Sequence, residues 1–140
     1  MGEDRSVFWD DLAQDLDNPE FLRNYVTESI RIATIDRIVN ELDEAREAAR
    51  LSKAELARSI STEPATVRRL FSAGHVNPTL GTLAEVAAAL GMRLVLEPLE
   101  AGERRQLTEP LRRGNARDPI ALARHLDALR NQRDDKAVTA

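Results

Sequence analysis

The sequence predicts a mainly all-α protein: a helical bundle built around two short helices joined by a tight turn, with one short strand. Three observations carry this expectation. Apolar residues recur at spacings of three and four through most of the 140 residues, helix-capping residues stand where those runs begin, and only one stretch alternates with the period of a strand.

Taken in order, residues 6–16 form an amphipathic stretch in which Val7, Phe8, Trp9, Leu12 and Leu16 alternate with acids. Asn18 caps the next helix and Pro19 begins it. Its apolar face runs through Phe21, Leu22, Tyr25, Val26 and Ile30, then through Ile35, Ile38, Val39, Leu42 and Ala45. The spacing leaves open whether this is one rod or two meeting near Thr34.

Residues 51–70, LSKAELARSISTEPATVRRL, read as two short helices with a turn between them. Ser52 caps the first, and Glu55 three residues on closes a capping box with the Ser52 backbone N–H. Leu56 and Ala57 face inward, Ile60 fills the turn, and Thr62 is expected to cap the second helix with Pro64 in its first turn. Val67 with Leu70 or Phe71 supplies the inner face, which leaves Ala65, Thr66, Arg68 and Arg69 outside.

Thr79 caps a further helix that stops at Gly91. The following MRLVLEP is the strand signal, with Leu94 and Leu96 on one face, Arg93, Val95 and Glu97 on the other, and Pro98 ending it. A lone strand leaves its ladder groups unpaired, so it should either pair with the same segment of a second protomer or lie as extended chain along its own bundle. The first option implies a two-fold homodimer that presents two reading helices to a pseudo-palindromic site. Residues 98–140 are arginine-rich, with a helix from about Pro119, capped by Asp118, carrying Ile120, Leu122, Ala123, Leu126 and Leu129. Acids interspersed among the arginines read as a solvated face, a DNA-backbone role being the alternative, and residues 133–140 have the composition of a disordered tail. The chain thus divides into an acidic helical lead (1–34), a reading domain with its terminal strand (35–97) and a helical extension (98–140).

A second helix held by such a turn can enter the DNA major groove, its first turns against base edges. Arg68 and Arg69 can reach phosphate, or guanine O6 and N7 in a fork. The plain alternative is an ordinary helical hairpin with two solvated arginines.

Residues 35–96 resemble the Cro/C1-type helix-turn-helix family, also called XRE-like, through LSKAELA, TEPATVRRL and NPTLGTLAEVAAALG. The resemblance implies a lambda-repressor-like bundle of about five short helices, with residues 63–71 as recognition helix. It also implies double-stranded DNA as partner, Pro64, Ala65 and Arg69 at base-contacting positions, and Lys53 and Thr66 at phosphate-holding ones. The chain departs from the family pattern in three places. Ser61 stands where Gly is usual, so that Ser61 either takes a left-handed conformation or the turn is remodelled. Pro64 and Ala65 offer only apolar contact, such as with a thymine methyl, which shifts readout to Arg68 and Arg69. The loop SAGHVNP is about one residue longer than usual, and Phe71 replaces a common acidic residue.

Formal net charge is −4, but its distribution carries more information. Residues 1–50 hold 6 basic and 13 acidic side chains, residues 51–97 hold 5 and 4, and residues 98–140 hold 9 and 7. The reading unit therefore relies on a few placed cations rather than a basic field, with a shallow salt dependence expected. The acidic front carries Phe8, Trp9, Leu12, Phe21 and Tyr25, side chains of the kind that anchor interfaces, and is read as a docking surface for a basic partner. The competing reading places Phe21 and Tyr25 in the bundle core. The lead DNPEFLRNY before a reading unit resembles the arrangement in HigA-type antitoxins, which implies a basic ribonuclease toxin as partner and repression of the protein's own promoter. A free-standing regulator, or an interaction module that no longer reads DNA, are the alternatives.

Other classes find little support. Cysteine is absent, which removes disulfides and thiolate metal sites, and no metal or cofactor is expected. The start has neither the basic residues nor the apolar run of a secretory signal, and no apolar run could span a bilayer, so a cytoplasmic protein is expected. His75 and His125 join no catalytic motif, and no enzyme activity is expected.

Overall fold

The sequence signals for helix starts correspond to real caps. Asn18 Oδ1 accepts from the N–H groups of Glu20 and Phe21, Ser52 Oγ from Glu55, Thr79 Oγ1 from Thr82, and Asp118 Oδ1 from Ala121. A computed structural model describes residues 2–72 and 77–139, with side chains for 7–72 and 77–131. The helices are α1 (Gly2–Asp15), α2 (Pro19–Ala48), α3 (Lys53–Ser59), α4 (Pro64–Leu70), α5 (Leu80–Ala89), α6 (Ala101–Arg113) and α7 (Pro119–Thr139). None of them is long and apolar enough to cross a membrane, among the described residues. The lengthened part of the SAGHVNP loop, with His75, lies outside those residues.

The chain forms two compact units. One comprises residues 1–34 and 97–140, the other residues 35–96. Helix α2 is continuous, so the choice between one rod and two resolves to one, and its first half serves the first unit while its second half serves the other. In the first unit Leu12 of α1, Leu16 just after it, Leu22 and Val26 of α2, Leu107 of α6, and Leu122, Ala123 and Leu126 of α7 bury one apolar core. Lead and extension, separate segments in the sequence, thus close on each other because neither has an apolar face it can cover alone.

The second unit buries Val39, Leu42, Leu56, Ala57, Val67, Leu70, Phe71, Leu83, Val86 and Ala87. Helix α3 packs on α4 and α5, and the later part of α2 supplies Val39 and Leu42. These are four helical pieces among the described residues, where the family resemblance implied about five.

Further expectations are corrected. There is no strand among the described residues: Met92–Leu99 is irregular, because no second segment offers the ladder bonds a strand needs. Nor does it lie along its own bundle, since Val95 is 62% exposed and Leu96 fully so. Helix α6 occupies a stretch from which its charges and Pro110 had hidden it. Glu100 caps it through the N–H groups of Gly102 and Glu103, and Pro110 sits buried in its last turns rather than ending it. The cap of α4 is Glu63, not Thr62, because Pro64 at the first helical position moves the boundary by one residue. Finally, α7 runs on through Thr139, past the point at which composition marked a disordered tail.

Candidate nucleic-acid interface

The reading unit is held in shape by its helix ends. Helix α3 begins with the full capping box, Ser52 Oγ accepting from Glu55 N–H at 3.0 Å and Glu55 Oε1 accepting from Ser52 N–H at 3.1 Å. The Ser52 backbone N–H on its carboxylate, and after it the Ser52 hydroxyl, hold the Glu55 carboxyl below the usual glutamate range. At the other end Thr62 N–H bonds to Ala57 C=O at 2.9 Å and Ser61 N–H to Arg58 C=O at 3.2 Å, a Schellman closure with Ser61 at φ 52°. Ser61 therefore takes the left-handed conformation of the missing Gly, and the turn keeps its form at a conformational cost.

Beyond that turn, α4 buries Val67 and Leu70 and turns its other face to solvent. Ala65, Arg68 and Arg69 are exposed, while Pro64 and Thr66 are half-buried. Lys53 is half-buried in the first turn of α3. Arg68 and Arg69 make no hydrogen bond or ion pair among the described residues, so both guanidinium groups keep all their donors. Glu63 is exposed and its side chain caps nothing. That acceptor at the tip went unnoticed in the sequence because the cap rule pointed to Thr62.

Arg46 is the other residue that the sequence did not single out. Its side chain is 12% exposed; Nε lies 2.9 Å from Asp43 Oδ1, and an Nη donates to the Leu51 carbonyl at 2.7 Å. The guanidinium also lies over the Phe71 ring, 5.8 Å from its centre. It ties the end of α2 to the approach to α3 and to the end of α4. The unusual Phe71 supplies the ring, a pairing that becomes visible only once residues 46 and 71 are neighbours.

A helix-turn-helix family profile matches residues 42–96. This segment is a helix-turn-helix domain. The match covers α3, its Schellman turn, α4 and α5, and ends with the exposed segment after Gly91. No curated protein and no solved structure matches the chain. The helix-turn-helix fold is a DNA-binding one, and α4 stands in it as the second helix of the motif. The compact unit containing it, residues 35–96, carries 8 basic and 8 acidic side chains, so cations placed on α4 rather than net charge would have to seat it on phosphates.

The other sequence-derived candidates lie in the first unit and divide by exposure. Leu12 is buried in the core and cannot form part of an open docking surface. Trp9 and Tyr25 pack partly against that core; Phe8 is 57% exposed and Phe21 38%. Phe8 meets Trp9 edge to face, Arg124 lies over Trp9, and Phe21 stacks on Tyr25. Burial pushes the Tyr25 phenol up from its ordinary value, only partly opposed by nearby Arg130.

Proposed function

We propose that this protein is a sequence-specific transcriptional regulator of the repressor type, which reads double-stranded DNA with α4. The observation that carries this reading is the outer face of α4: two arginines, unpaired among the described residues, on a helix whose inner face is locked by Val67 and Leu70. Arg69 would fork onto a guanine or hold a phosphate, with Arg68 beside it. Pro64 and Ala65 allow close approach, Glu63 adds an acceptor suited to cytosine N4, and Lys53 with Thr66 would hold the backbone. Two such helices on a homodimer would read a pseudo-palindrome. The exposed Met92, Leu94, Val95 and Leu96 are the apolar segment on which two protomers would pair.

Titration of the protein against its own upstream DNA and against random duplex, followed by fluorescence anisotropy, tests the proposal. If an arginine makes a forked guanine contact, its replacement by Ala should cost about 1–3 kcal/mol on the cognate site and much less on random DNA. Equal losses on both would reduce that arginine to a phosphate contact, and no preference for the upstream DNA would remove the regulatory reading.

A second reading rests on the acidic front. Exposed Val7, Phe8 and Phe21 among acids suit a basic protein partner, and an antitoxin that neutralises a ribonuclease-type toxin would use such a face. A neighbouring reading frame encoding a small basic ribonuclease-like protein, and a complex of the two products that dissociates with salt, are its test.

A further inference from the structure

The turn between α6 and α7 holds a cleft that DNA reading does not use. The two helices diverge from Gly114–Asp118 and enclose about 330 Å³, within the range of small-molecule sites. The floor is apolar, since Pro110 and Leu122 both line it and both are buried. Around it stand Arg105 and Arg113 of α6 and Arg117 of the turn, all exposed and none engaged in a hydrogen bond or ion pair among the described residues.

The wall from α7 adds His125. Its Nε2 is shielded from solvent yet has no hydrogen-bond partner among the described residues, and the Glu103 Oε1 beside it lies at 3.9 Å, beyond hydrogen-bond reach. A buried polar atom left unsatisfied is costly, which is why such atoms almost always find a partner. Two carboxylates share the lining. Asp118 is committed to the Ala121 N–H as the cap of α7, and Glu109 makes no hydrogen bond or ion pair among the described residues.

We propose that this cleft binds a small organic anion, a carboxylate or phosphate carried on a compact apolar body. The anion lies among the three guanidinium groups, whose planar forks match either oxyanion. The apolar body covers Pro110 and Leu122, and a polar group of the ligand satisfies His125 Nε2. The site belongs to the first unit alone, so it stands or falls independently of DNA reading.

The test uses the full chain, with the imidazole resonances of His125 followed by NMR and heats by calorimetry. The probes are benzoate, phenyl phosphate, inorganic phosphate and uncharged benzamide. Benzoate or phenyl phosphate should shift His125 saturably, and the tighter of the two identifies the oxyanion. Benzamide should not bind, and inorganic phosphate should bind more weakly for want of an apolar body. Arg113→Gln and Arg117→Gln should each weaken binding about tenfold while circular dichroism stays unchanged, and Arg117→Lys should restore only part of the loss. The proposal is overturned by the absence of saturable binding up to about 10 mM, by benzamide or inorganic phosphate binding as tightly as the organic anions, or by arginine variants that bind normally. A His125 shift produced by duplex DNA and by none of the small anions would assign the cleft to nucleic acid instead.

Discussion

Arg46 and Gly114 show how much a single position can carry. Arg46 holds a carboxylate, a backbone carbonyl and an aromatic face at once while nearly buried. Its replacement by Ala leaves the Leu51 carbonyl without that donor and should cost about 2 kcal/mol, a typical value for hydrogen bonds to a charged group. Urea unfolding at unchanged m-value measures it, and a loss below half that size would make Arg46 a bystander. Gly114 ends α6 at φ 77°, and a Cβ there would stand 3.0 Å from Pro19 Cβ and 3.1 Å from an Arg23 Nη nitrogen. Arg23 donates from Nε to the Leu111 carbonyl at 2.9 Å, satisfying the C-terminal carbonyls of α6. Gly114→Ala therefore combines left-handed strain with displacement of Arg23 and should destabilise by about 2 kcal/mol or more.

Among the elements, three helices end in the same closure with three different residues at its left-handed position. Helix α2 ends with Arg50 at φ 58°, α3 with Ser61 at φ 52° and α5 with Gly91 at φ 72°, each with the paired backbone bonds of a Schellman motif. Only the last uses the residue for which that conformation is cheap. Arg50→Gly and Ser61→Gly should each stabilise the domain by about 0.5–1 kcal/mol, the relief of strain being partly offset by the freer unfolded chain. Gly91→Ala should destabilise it through strain alone, because a Cβ there meets nothing within 4 Å. The capping box of α3 adds a pH signature. The Glu55 carboxyl is held below its ordinary value when folded, so its contribution is complete above the unfolded value of about 4.3 and is lost as pH falls through the lower folded value. Glu55→Gln keeps the box geometry but removes this dependence, so the difference in melting temperature between wild type and variant should shrink below about pH 4. Ser52→Ala should cost about 1 kcal/mol at any pH.

For the whole molecule, the two cores share no residue, and each proposed activity belongs to one of them. If the exposed segment after Gly91 joins two protomers, Val95→Glu with Leu96→Glu should leave a folded monomer by sedimentation and lower operator affinity. A wild-type monomer at micromolar concentration, with and without DNA, would exclude the dimer. The docking reading of the front requires substitution rather than deletion, because removing residues 1–17 would strip Leu12 and Leu16 from the core. Phe8→Ser with Phe21→Ser should leave stability within about 1 kcal/mol, as exposed positions do, while weakening a complex with a basic partner. A large loss of stability would return these rings to the core.

Local rules operating within a few residues were legible in the sequence. The caps at Asn18, Ser52, Thr79 and Asp118, the stop at Gly91, the inward faces of α3 and α4 and the outward Arg68 and Arg69 all follow from spacing and cap chemistry, because each is decided by backbone groups three or four residues apart. What depends on distant neighbours was decided only by the tertiary structure. Strand character needs a ladder partner, and residues 92–97 have none among the described residues. Helix α6 tolerates Pro110 because its apolar face finds Leu122 and Leu126 far along the chain. Lead and extension share a core, Arg46 meets Phe71, and a cleft opens beside His125, all through the packing of residues remote in sequence, which no periodic pattern encodes.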